Sequence, residues 1–153
     1  MSLLSYNKFL KELPDLVLPA VPAAIRRNLQ VRQPFRAIIQ FYDTEPRLHY
    51  EVGRAWRHPG LELGFHFESR DKALNRKLLL GFRRHLFEVK DNLGEQVEAE
   101  MWDRGWSKVY EVLPASQYTT EFHHEVARRM AQLITTLHPI YTDILRHERV
   151  KKK

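Results

Sequence analysis

The chain has 153 residues, 29% of them charged and 43% hydrophobic, with a formal net charge of +6. That balance describes one globular domain with a core of its own rather than a disordered polymer. The absence of cysteine excludes disulfides, thiolate metal sites and cysteine nucleophiles. No apolar run approaches the roughly 20 residues that span a bilayer. Leu13–Ala24 is apolar and ends in small residues, but Asp15, Pro14, Pro19 and Pro22 interrupt it, so it does not read as a signal peptide. The expectation is a cytoplasmic protein without a membrane partner. Arg149, Lys151, Lys152 and Lys153 supply much of the positive charge, which leaves the body of the chain only weakly basic.

In chain order, Ser5–Leu13 reads as a short helix with Tyr6, Phe9, Leu10 and Leu13 on one side. The prolines from Pro14 to Pro22 stop it, and a second short helix covers Ala23–Leu29. Strands follow at Phe35–Tyr42 and Leu48–Trp56, joined by the turn-forming Asp43-Thr44-Glu45-Pro46. After His58-Pro59-Gly60, Leu61, Leu63, Phe65 and Phe67 alternate with Glu62, Gly64, His66 and Glu68, the pattern of a strand buried on one side. The period then becomes helical: Leu74, Leu78, Phe82, Leu86, Val89 and Leu93 form one stripe of a helix capped by Ser69 or Asp71 and stopped by Gly94. Two more strands, Val97–Trp102 and Trp106–Leu113, flank a tight hairpin at Asp103-Arg104-Gly105. A last helix runs from Thr119 or Thr120 to about Arg146, with a kink expected at Pro139.

Short turns between strands make an antiparallel meander. The fold class is therefore α+β: two layers, a sheet of about five strands, two long helices on one face and short N-terminal helices. Residues 1–33 form a helical segment packed on the domain, 34–146 the domain itself, and 147–153 a basic tail.

The run Asn75-Arg76-Lys77, the apolar stretch Leu79–Leu93 with Gly94-Glu95, then Met101-Trp102, Ser107-Lys108-Val109-Tyr110 and a closing helix through Pro139 resemble an uncharacterised bacterial α+β domain family. That family often lies at the C-terminal end of restriction- or nuclease-associated proteins. The resemblance covers residues 61–145. It implies the topology above and a nucleic-acid context, but no activity, and this chain's helix is more basic than the family's glutamate-rich one.

Five constellations bear chemistry. Pro14-Asp15 with Glu88-Val89-Lys90 imitates a nuclease metal site, but on a helix Glu88 and Lys90 diverge by about 160°. Glu98 and Glu100 share a strand face and, with Asp103, have the residue types for Mg²⁺; an edge hairpin in solvent explains them equally well. The second hairpin is richer. A loop at Arg57–Gly60 sets Val52 opposite Phe65, Tyr50 opposite Phe67, Glu51 opposite His66, His49 opposite Glu68 and Gly53 opposite Gly64. His49, Glu51, His66 and Glu68 then form a checkerboard that reads either as an ion-pair ladder or as a Zn²⁺, Mn²⁺ or acid–base site. His123-His124-Glu125 and His138 read as helix-surface residues, since adjacent helical histidines point about 100° apart.

The last constellation is cationic. Lys72, Arg76, Lys77, Arg83, Arg84 and Lys90 lie on the helix, with Lys151, Lys152 and Lys153 in the tail. Arg76, Arg83 and Lys90 are spaced by sevens and nearly aligned, as phosphate binding needs. Trp56, Trp102 and Trp106 are candidates for base stacking, with hairpin packing as the alternative. The acidic strands that follow could instead neutralise the helix. These residues predict a non-catalytic binding module associated with DNA or RNA. The alternative is a homo-oligomeric interaction module, and third comes a metal-dependent hydrolase or nuclease-like enzyme through His49, Glu51, His66 and Glu68. No catalytic residue, bound metal or cofactor is assigned.

Overall fold

A computed structural model describes residues 2–56, 59–115 and 117–151, with the backbone alone given for 148–151. Helix α1 spans Tyr6–Val17 and α2 Ala23–Arg26, with a 3₁₀ turn at Leu18–Ala20 between them. Four strands follow: β1 (Leu29–Phe35), β2 (Ile38–Asp43), β3 (Leu48–Arg54) and β4 (Leu61–Phe67). Helices α3 (Lys72–Arg84) and α4 (Leu86–Leu93) lead into β5 (Glu98–Met101) and β6 (Ser107–Leu113), and α5 (Thr120–Lys151) closes the chain. The strands form one antiparallel sheet in the order β1-β2-β3-β4-β6-β5. This is the expected α+β architecture, with six strands rather than five.

The core lies on one side of the sheet. Ile39, Phe41, Tyr50, Val52, Leu63, Phe65 and Val109 point from the strands into a layer made by Phe9, Leu13, Leu78, Phe82, Val126, Met130 and Leu137 from the helices. Burial of each such side chain contributes about 1.5–3 kcal/mol. Polar groups inside this layer are matched. Arg129 donates to both carboxylate oxygens of Glu111, and Asn75 bonds the backbone of Ser69 and Gly105. His123 Nε2 lies 2.8 Å from the Phe9 carbonyl and so joins α5 to α1.

Several expectations are corrected here. β1 replaces the end of the expected second helix and crosses the assumed boundary at residue 33. It was hidden because it is an edge strand with little burial, and Pro34 sits where its register shifts. α1 continues through Pro14 to Val17, because burial of Leu13, Pro14 and Val17 outweighs one lost backbone bond. α5 likewise continues through Pro139 and reaches Lys151, into the expected tail. The helix expected from Asp71 to Gly94 is two helices, interrupted at His85 (φ −101°, ψ 13°). Its ends were placed well: the Asp71 side chain accepts from the Ala73 and Leu74 amides, and Gly94 has φ +114°. The hairpin turn at Asp103–Gly105 is present, with Arg104 and Gly105 both at positive φ. His58 of the expected His58-Pro59-Gly60 turn lies outside the described residues.

Candidate metal centre on the open sheet face

The side of the sheet away from the helices carries the alternate residues. Two of its rows, read across β2, β3, β4 and β6, are Tyr42–His49–His66–Lys108 and Gln40–Glu51–Gly64–Tyr110. The hairpin register therefore differs by two residues from the expected one. His49 faces His66, Glu51 faces Gly64, Tyr50 faces Phe65 and Val52 faces Leu63. The cause is the loop: pairing ends at Arg54 and Leu61, so the connection is longer than Arg57–Gly60. A shift of two keeps every side chain on its predicted face. The histidines therefore meet each other, with carboxylates around them.

Although no helix covers them, His49 and His66 are only 1% and 3% exposed. Their rings lie 5.6 Å apart at 30°, and Trp102 packs edge-on against His66. Each ring is anchored by one nitrogen and presents the other to a shared space. His49 Nδ1 donates to the Pro46 carbonyl at 2.8 Å. Its Nε2 lies 3.0 Å from Gln40 Nε2, 3.2 Å from Glu51 and 3.9 Å from Glu68. A neutral ring accepts the Gln40 N–H there, and a protonated ring donates to Glu51. His66 Nε2 is bound to Glu62 at 2.8 Å, while its Nδ1 faces Glu68 at 3.1 Å and Glu51 at 3.8 Å. Lys108 completes the outer anchor by donating to the second oxygen of Glu62 at 2.6 Å.

Electrostatics follow from this crowding. Burial disfavours the charged form of His66. The hydrogen bonds to Glu62 and Glu68 and the charge of Glu51 outweigh it, raising its pKa to about 10. Burial likewise opposes ionisation of Glu51, yet His49, His66 and the Gln40 amide together lower its pKa to about 2. Glu62 is held below the usual carboxylate range because His66 and Lys108 overcome its burial. The cluster thus favours the ionised forms of Glu51 and Glu62 around the protonated form of His66. Nitrogen or oxygen atoms of His49, His66 and Glu68 all lie within 4.8 Å of one another.

Gly64 is the floor of this arrangement. A Cβ there would sit 2.9 Å from Tyr110 Cβ and 3.2 Å from the His66 ring. Gln40, Glu62, Gly64 and Lys108 are members that the sequence reading missed. Glu62 was within reach, since it lies on the same strand face as His66 by the period of two. Lys108 was not, because β6 reaches β4 only after two intervening helices and a strand.

The other candidates separate. Glu98 pairs with Lys90 at 3.3 Å, Glu100 accepts from the Tyr110 hydroxyl, and Asp103 pairs with Arg104, so the three do not converge on one ion. His123 and His138 are buried, not surface residues as expected, while His124 is exposed. His138 Nδ1 accepts from the Tyr50 hydroxyl at 3.0 Å and its Nε2 faces Asp43 at 3.3 Å. A cleft of about 650 Å³ opens beside it, and four of its ionisable groups pair off, His138 with Asp43 and His85 with Glu88.

The expected basic stripe is divided. Lys72, Arg76, Lys77, Arg83 and Arg84 belong to α3 and Lys90 to α4. Arg83 donates to the Ala99 carbonyl, and Lys90 to the Glu95 carbonyl and to Glu98, so the acidic strand takes up one flank. Lys151 ends α5, but its side chain and all of Lys152 and Lys153 lie outside the described residues. Of the tryptophans, Trp56 and Trp102 are exposed, and Trp102 and Trp106 pack against each other.

Searches with the chain against models of known protein families, curated proteins and solved structures find no match. The functional reading therefore rests on the chain's own geometry.

Proposed function

We propose that this chain is a transition-metal-binding module whose ligands are His49 Nε2, His66 Nδ1 and Glu68 Oε2. One observation carries the reading: both histidines are fixed through their outer nitrogens, by a backbone carbonyl and a carboxylate, and turn their inner nitrogens toward one carboxylate. Outer-shell acceptors of this kind orient and polarise metal-binding imidazoles. Adjacent ligands around a tetrahedral ion with bonds of about 2.05 Å are roughly 3.3 Å apart. The Glu68 oxygen lies 3.1 Å from one inner nitrogen and 3.9 Å from the other, so small side-chain movements close the set. Two imidazoles and a carboxylate suit Zn²⁺, Mn²⁺ or Fe²⁺ and leave a coordination position for water. Glu51, 3.2 Å from His49 Nε2 and 3.8 Å from His66 Nδ1, adds a second carboxylate beside the set.

The test is direct. Protein stripped with chelator and titrated with Zn²⁺ and Mn²⁺ should take up one equivalent per chain, measured by calorimetry and elemental analysis. Glu68→Gln, at a partly exposed position, should keep the fold and weaken binding at least tenfold. His49→Gln should abolish it. Unchanged stoichiometry and affinity in both variants would overturn the assignment.

A further inference from the structure

We infer that the outer face of α3 and the start of α4 form a docking surface for single-stranded nucleic acid, separate from the metal centre and independent of it. Residues 70–84 carry Arg70, Lys72, Arg76, Lys77, Arg83 and Arg84 against a single carboxylate, Asp71. That carboxylate is engaged in capping the helix. Arg70, Lys72, Arg76 and Arg84 are exposed and make no hydrogen bond or ion pair with the described residues. Neutralisation by β5 stops at Arg83 and Lys90, on the flank nearest the sheet. Residues 70–84 thus form a concentrated basic segment, apart from the basic C-terminal end.

Two apolar side chains interrupt this surface. Leu80 follows Arg76 by one turn and is 39% exposed, and Phe87, in the first turn of α4, is 94% exposed. A fully presented phenylalanine on the helix that follows these arginines matches the way proteins hold single strands. Cations track the phosphates, and an aromatic face stacks a base, which a duplex does not offer. The α3 cations span about 18 Å of helix axis, enough for several phosphates. A lipid surface fits less well. Interfacial helices bury a broad apolar face, and the apolar face of α3 (Leu78, Leu79, Phe82) is already buried in the core.

Fluorescence anisotropy of a labelled 20-nucleotide oligo(dT), with chelator present so that metal plays no part, tests this. Binding through about four phosphates predicts a fall in affinity of roughly 50-fold between 50 and 200 mM salt. Arg76→Glu with Arg84→Glu should weaken binding more than tenfold, and Phe87→Ala by roughly tenfold. Circular dichroism should be unchanged in both, since all three positions are exposed. Absence of binding at 50 mM salt, or indifference to the charge reversals or to Phe87→Ala, would overturn the inference. So would tighter binding of a 20-base-pair duplex, or binding confined to phosphatidylserine vesicles. Because the assay contains no metal, its outcome leaves the metal reading untouched.

Discussion

The two faces of the sheet both bury charged and polar groups, and they do so by opposite rules. On the helix-covered face the groups bond to neutral groups or to a single opposite charge: Glu111 takes Arg129 and Gln96, Asn75 the Ser69 and Gly105 backbone, and His138 the Tyr50 hydroxyl and Asp43. On the open face partners are shared. Glu51 lies between two histidines, Glu68 serves the same two, and Glu62 divides itself between His66 and Lys108. Pairing each charge with one opposite charge or with neutral groups satisfies buried groups and joins layers. Shared carboxylates around inward-facing nitrogens leave a position that a cation can take. The first pattern is structural, and the second is the arrangement on which the proposed metal site rests.

The largest expected effect tests the structural half. Arg129→Ala leaves the Glu111 carboxylate buried without its cation and should cost about 3–5 kcal/mol in urea denaturation. A loss under about 1 kcal/mol would show that Glu111 finds another partner and that the covered face shares charge too. The reciprocal experiment adds Zn²⁺ at a hundredfold excess over its dissociation constant. Selective binding to the folded state should then raise the unfolding free energy by about 2.7 kcal/mol. Wild type and the Arg129 variant should gain equally, and His49→Gln should gain nothing.

Two of the buried histidines, His66 on the open face and His138 on the covered face, sharpen the comparison through pH. In the metal-free protein the pKa of His66 is raised from 6.5 to about 10. Its contribution to stability is complete below about pH 6.5, declines as pH rises and is gone above about 10. The slope approaches 1.4 kcal/mol per pH unit at most. His138 is shifted the other way, because burial lowers its pKa more than Asp43 raises it. Its contribution is present above the unfolded pKa and lost as pH falls below it. Denaturation curves from pH 5 to 9.5 should show His66→Gln flattening the alkaline limb and His138→Gln flattening the acid limb. A common effect of both variants on one limb would end the distinction.

What the sequence disclosed follows the same division. Period-two and helical patterns placed the core strands and α3, because burial on one face writes itself into alternation. The exposed edge strand β1 left no such mark. The break at His85 carries neither Gly nor Pro to announce it. His49, Glu51, His66 and Glu68 were placed on the right face, but their partners depended on loop length, which local residues did not fix. Lys108 came from a strand whose neighbour is set by the tertiary fold, and Gln40 from the register of the β2–β3 hairpin, opposite Glu51. The isolated Phe87 was invisible for a different reason: one apolar residue on a helix reads as core until the structure shows which way it points.

The smallest expected effect concerns the residue that lets the open face share its charges. Gly64 stands opposite Glu51, where any other side chain would occupy the space beneath the His66 ring. Gly64→Ala forces the ring or Tyr110 to move by a few tenths of an ångström, which should cost about 1–2 kcal/mol in stability. Ligand geometry is less forgiving, since metal sites tolerate distances within about 0.2 Å. Zn²⁺ affinity should therefore fall by roughly tenfold or more, while stability falls no further than for a helix-side overpacking change such as Gly81→Ala, whose Cβ would meet Ile144 at 2.6 Å. If both glycine variants lose stability alike and Zn²⁺ affinity is unaffected by either, Gly64 is only a packing glycine, and the two faces of the sheet differ less than their hydrogen bonds indicate.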